Sequence, residues 1–67
     1  MIYDYSDSDL QSEFNKKKEL IEHYQLLRIK AIDSENLQAF QQYDDSMTQA
    51  FRELYDMRKE LRKRGLL

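Results

Sequence analysis

The only histidine, His23, stands in Glu22-His23-Tyr24 with Glu19 one helical turn earlier, a spacing at which a carboxylate could orient an imidazole as a general base. A base needs a nucleophile or a substrate pocket beside it, and no residue pattern in the chain supplies either. An exposed helix histidine weakly paired with Glu19 is the expectation. Carboxylate-bridged metal sites in helical bundles combine inward Glu residues with Glu-x-x-His. Leu20, not Glu, stands three residues before His23, and few acids fall in phase with the apolar residues. A structural zinc would need more N and S ligands than one His and no Cys provide. Asp4, Ser6 and Ser8, or Asp7 and Asp9, follow the alternation of a calcium loop, but the loop Gly and the terminal bidentate Glu are missing. Acidic capping of a helix accounts for them. The sequence therefore predicts no catalytic residue, no metal and no cofactor, and no small-molecule substrate.

Charge offers one further chemistry. Arg58, Lys59, Arg62, Lys63 and Arg64 put five positive charges against the single Glu60 in the last turns, an arrangement that could track phosphates. Cations also suit a helix C-terminus. If the chain folds back on itself, this end returns beside Asp4, Asp7, Asp9 and Glu13. With a net charge of −2, a structural role for the basic end is expected ahead of nucleic-acid binding, which is kept as the alternative function. Lys16, Lys17 and Lys18 spread around their helix and are expected to be solvated.

The elements that would position these groups are helices. The chain has no Pro, and its single Gly is Gly65, so only side-chain caps can interrupt a helix before Arg64. Apolar residues make up 40% of the 67 residues, too many for a solvating tail, and they never run longer than three in succession, too short for a membrane span. The N-terminus lacks the basic and apolar regions of a signal peptide. With no Cys, a reducing compartment is allowed, and a soluble cytoplasmic protein is expected.

Ser8-Asp9-Leu10-Gln11 fits a capping box opening helix 1 at about residue 8. Upstream of it, Ile2, Tyr3 and Tyr5 are possible docking groups. Leu10, Phe14, Leu20, Ile21, Tyr24, Leu27, Ala31 and Ile32 then fall within a helical stripe of roughly 140°. Lys17 and Arg28 interrupt that stripe and are expected to snorkel to its edge. Asp33-Ser34-Glu35-Asn36 is a cluster of cap residues and predicts the turn at 33–36. Helix 2, about 36–64, carries a heptad pattern, with Phe40, Met47, Leu54 and Leu61 at a positions and Tyr43, Ala50 and Met57 at d positions. Leu37 and Phe51 widen its stripe. Asp44-Asp45-Ser46 could open a fresh helix, although the heptad phase runs through it. Gly65 suits a left-handed helix C′ position with Leu66 packing back.

These features predict an all-α fold, an antiparallel two-helix hairpin occupying residues 1–67 as a single domain. A chain this short buries only about 60% of its unfolded surface. Neither disulfide nor metal is there to compensate, so a homodimer forming a four-helix bundle is expected. Its oligomer core is predicted to comprise Phe14, Ile21, Tyr24, Phe40, Tyr43, Met47, Ala50, Leu54, Met57 and Leu61. Leu54 is expected to be buried at mid-helix. Leu26, Ile29 and Tyr55 lie outside the stripes and form the predicted surface for a protein partner. The expected function is a non-catalytic protein–protein interaction module, a small adaptor, inhibitor or regulator.

Overall fold

The computed structural model describes residues 4–67 and contains two α-helices, α1 (Asp7–Asp33) and α2 (Leu37–Lys63). They pack along their length as a hairpin measuring 44 × 15 × 14 Å. Each has 27 residues, and at about 1.5 Å per residue each is about 40 Å long. Ile2 and Tyr3 lie outside the described residues.

The start of α1 differs from the sequence expectation. Its N-cap is Ser6, whose hydroxyl accepts from the Asp9 N–H at 3.1 Å, so Ser8 lies inside the first turn and caps nothing. Asp7 and Asp9 occupy that turn, where negative charge favours the exposed N–H groups. The helix closes in a Schellman motif. Glu35 N–H donates to Ile32 O and Asn36 N–H to Ala31 O, both at 2.9 Å. This arrangement needs a left-handed residue at the C′ position, and Glu35 takes it with φ of 57°. Asn36 then acts a second time, its side-chain oxygen capping α2 by accepting from Ala39 N–H at 3.1 Å. One residue thus ends the first helix and begins the second, which is why the reversal is so short.

α2 runs without a break through Asp44-Asp45-Ser46. Ser46 caps nothing, and Thr48 Oγ1 donates back to Asp44 O within the continuous helix at 2.9 Å. The far end is a second Schellman motif, with Gly65 at φ of 75°, Gly65 N–H on Arg62 O and Leu66 N–H on Leu61 O. It folds Leu66 onto the core as expected.

The seam follows heptad phase on both helices. On α1, Leu10, Phe14, Lys17, Ile21, Tyr24, Arg28 and Ala31 step by four and three. On α2, Phe40, Tyr43, Met47, Ala50, Leu54, Met57, Leu61 and Arg64 step by three and four. Leu10, Met57 and Leu61 form one buried cluster, joined by Phe14 and Leu66. Ile21, Met47 and Ala50 form another, joined by Tyr24 and Leu54. Of the predicted core, Phe14, Tyr24, Phe40, Tyr43 and Leu54 are only half-buried, because two helices can cover just one side of a large side chain near the seam. Leu20 and Ile32, counted in the α1 stripe, are exposed.

Lys17 and Arg28 do not snorkel away. They occupy seam positions and bridge the helices, Lys17 to Glu53 and Arg28 Nη1 to Asp44 Oδ1, the latter at 2.6 Å. Lys17 lies between the two apolar clusters, and Arg28 lies between the second cluster and the turn. The core is therefore divided by charge. Arg28 also stacks over Phe40 at 5.6 Å, while its Nε is buried with no hydrogen-bond partner among the described residues.

Candidate interaction surface

The heptad phase assigns each exposed residue to a flank. In an antiparallel pair, the e positions of both helices border the seam on one side and the g positions on the other. The ion pairs agree with this. Glu53, at g, meets Lys17, while Asp44, at e, meets Arg28. Leu20, Ser46 and Glu53, all at g, line a single groove that spans both helices.

The e flank, extended outward by the b positions, collects Ile29 and Ile32 from α1 and Leu37, Phe51 and Tyr55 from α2. These five are 47–77% exposed. Leu26, at an f position, stands on its rim. Open grooves lie along it, one bordered by Leu26 and Ile29, another by Phe51 and Tyr55. The g flank is poorer in exposed apolar bulk, carrying Leu20, only 37% exposed. An exposed Leu or Tyr in isolation is ordinary, whereas five such side chains on one side of a hairpin are an exposed apolar strip.

The three residues singled out from sequence, Leu26, Ile29 and Tyr55, thus share a side. Ile32, Leu37 and Phe51 join them there. Those three fall within the apolar stripes because a stripe is broader than an a/d seam. With Lys17 and Arg28 as seam members, the seam is narrower and Ile32 lies outside it.

Charge along the e flank is segregated. Towards the chain termini it bears Lys18, Arg58 and Arg62, with Arg52 and Lys59 at the rim against a single acid, Glu19. Towards the turn it bears Glu22 and Asp44, with Asp33 and Asp45 at the rim. Lys59 Nζ sits 4.8 Å from the centre of the Tyr55 ring. Arg58, Lys59, Arg62 and Lys63 are exposed.

Arg64 behaves differently from its basic neighbours. Only 18% of its side chain is exposed. Nη1 donates to Tyr5 O at 2.7 Å and to Asp7 Oδ1 at 3.1 Å, and Nε donates to Glu60 at 3.0 Å. The hydrogen bond to Glu60, followed by that to Asp7, raises its guanidinium pKa above the ordinary value despite partial desolvation. It clasps the chain start to the end of α2. The expected proximity of acidic start and basic finish is made by this residue, whereas Glu13 pairs within α1 to Lys16 at 3.4 Å.

His23 is exposed and tilted against Tyr24, its ring 6.4 Å from the tyrosine ring, and no bond joins it to Glu19 among the described residues. No group of three or more metal-ligating side chains converges among the described residues. No helix of the described residues is long and apolar enough to cross a membrane. Comparison with known proteins yields no matching family model, no significantly similar curated protein and no significantly similar solved structure.

Proposed function

We propose that the chain is a non-catalytic protein–protein interaction module, a small adaptor, inhibitor or regulator working in the cytoplasm, and that its helical surface associates with a second copy and with a protein partner. The observation that carries this reading is the apolar e flank. Ile29, Ile32, Leu37, Phe51 and Tyr55 remain in water on a hairpin whose core, among the described residues, consists of seven buried side chains, two of them Ala. Each large side chain moved from water into a contact contributes about 1.5–3 kcal/mol, so covering this flank could rival the hairpin's internal packing. A four-helix bundle made of two hairpins covers it. Melting at increasing protein concentration tests the proposal. Association with the folded state raises Tm with concentration, and a Tm independent of concentration from micromolar to millimolar would count against self-association.

A second reading is favoured by the exposed Arg58, Lys59, Arg62 and Lys63, of which Lys59 lies over the exposed Tyr55 ring, since cations near an exposed ring suit single-stranded nucleic acid. Salt separates the two. Phosphate binding weakens steeply as salt rises, whereas an apolar helix contact does not. Gel shifts with RNA and DNA at low and physiological salt supply the comparison.

A further inference from the structure

We infer, resting on the interaction-module reading above, that the e flank receives a second copy of this chain in one orientation, with the turn of each copy lying over the chain termini of the other. Two observations meet on this flank. The first is its apolar content, which gives a second copy something to bury. The second is its charge, which says how that copy must lie.

On the half nearer the termini, the flank and its rim carry Lys18, Arg52, Arg58, Lys59 and Arg62 against Glu19, or five minus one, a net of +4. On the half nearer the turn they carry Glu22, Asp33, Asp44 and Asp45 with no Lys or Arg, a net of −4 before the seam residue Arg28 is counted. The face is a strip with opposite poles.

Two identical strips can meet face to face about a two-fold axis in either of two ways. An axis along the helices places turn beside turn, stacking the basic ends together and the acidic ends together. An axis across the helices places turn over termini, so each basic end covers an acidic one. The hairpin is 44 Å long, several times the screening length of about 8 Å at physiological salt. Each end therefore responds only to what lies directly over it. Like charges brought together in a contact oppose it, and opposite charges fix its register. Only the crosswise axis makes this face complementary to itself. Because α1 and α2 are equally long, the copies can overlap from end to end. The axis then passes near residue 50, the middle of α2, one residue from Phe51.

The test uses single spin labels, which the absence of Cys makes simple. Ser34→Cys places a label at the exposed turn, and Lys63→Cys places one at the other end of the hairpin. Sedimentation establishes the mass of each labelled protein, and pulsed dipolar spectroscopy measures the distance between the labels of the two copies. The crosswise dimer predicts turn-to-turn distances of roughly 40 Å, a helix length. A sample mixing the two labelled variants adds a turn-to-end distance below about 20 Å, as between neighbouring helices. A dimer whose turn labels lie within about 20 Å of each other overturns the inferred orientation and leaves the interaction module standing. A monomer overturns the inference and, with it, the self-association in the proposed function. A complex that forms only on adding RNA overturns the inference in favour of the nucleic-acid reading.

Discussion

Leu61→Ala probes the packing most sharply. Leu61 is 1% exposed, wedged with Leu10 and Met57 and flanked by Phe14 and Leu66 at the end where the chain start meets the end of α2. The substitution removes three carbons, worth about 2.4 kcal/mol at about 0.8 kcal/mol each. A residual cavity adds to this, and measured Leu→Ala costs run from about 2 to 5 kcal/mol. The site lies near the end of the hairpin, where Leu66 and Phe14 are only partly buried and can settle inward. A cost in the lower part of that range, about 2.5–3.5 kcal/mol, is therefore expected. The Leu66 N–H bond to Leu61 O is a backbone bond and survives the change. At about 0.05–0.15 kcal/mol per residue, a chain of this size has a total stability of only about 3–10 kcal/mol, so the variant should sit close to unfolding. Urea denaturation followed by circular dichroism at one fixed protein concentration measures the loss, and Leu54→Ala provides the internal comparison. Leu54 was expected to be a central buried residue but is half-buried, so its truncation should cost about 1–2 kcal/mol. A Leu61→Ala midpoint within experimental error of the parent, or a larger loss at Leu54 than at Leu61, would refute the seam as described.

Four other outcomes follow from the same structure. Replacing Arg28 by Leu should leave thermal stability unchanged or raise it by about 1 kcal/mol, because a partly desolvated guanidinium with an unpartnered Nε gives way to apolar packing and Asp44 stays solvated; a large loss of Tm would show that the ion pair is a net stabiliser. Glu35→Gly relieves a side chain held at φ of 57° and should add up to about 1 kcal/mol, read as a higher urea midpoint. Arg64→Gln should lower Tm most at low salt, whereas Arg62→Gln with Lys63→Gln should change it little, since only Arg64 clasps Asp7 and Tyr5; equal effects from both would contradict that assignment. Arg58→Glu with Arg62→Glu should weaken self-association at least about tenfold, and so should Glu22→Lys with Asp45→Lys. An equimolar mixture of these two doubly substituted proteins should recover most of it, and failure of the mixture to recover would remove charge as the determinant of orientation.

How far the sequence was legible differs between the helices. In α2 the apolar residues gather on one side, so Met47, Ala50, Met57 and Leu61 could be read as seam from spacing alone. In α1 they are scattered around the helix, and two of its seven seam positions hold Lys17 and Arg28. Their role depends on Glu53 and Asp44, which lie 36 and 16 residues away, and a pattern local to one helix cannot reveal that. Capping was ambiguous for a related reason. Ser6 and Ser8 both precede acidic residues, and the helix began at the one whose hydroxyl reached Asp9 N–H. The left-handed Glu35 has no signature at all, since its conformation is imposed by the Schellman bonds on either side. The exposed apolar flank was half legible, through Leu26, Ile29 and Tyr55. Its charge poles become visible only once the fold places Arg58 and Lys18 on the same side.

The claim on which the rest depends is that this hairpin does not remain alone in solution. Sedimentation equilibrium of the unmodified chain across the micromolar range at physiological salt tests it directly. A self-associating hairpin gives a species of twice 8.2 kDa that dissociates on dilution. A fully helical, cooperatively melting protein that sediments at 8.2 kDa throughout would contradict it.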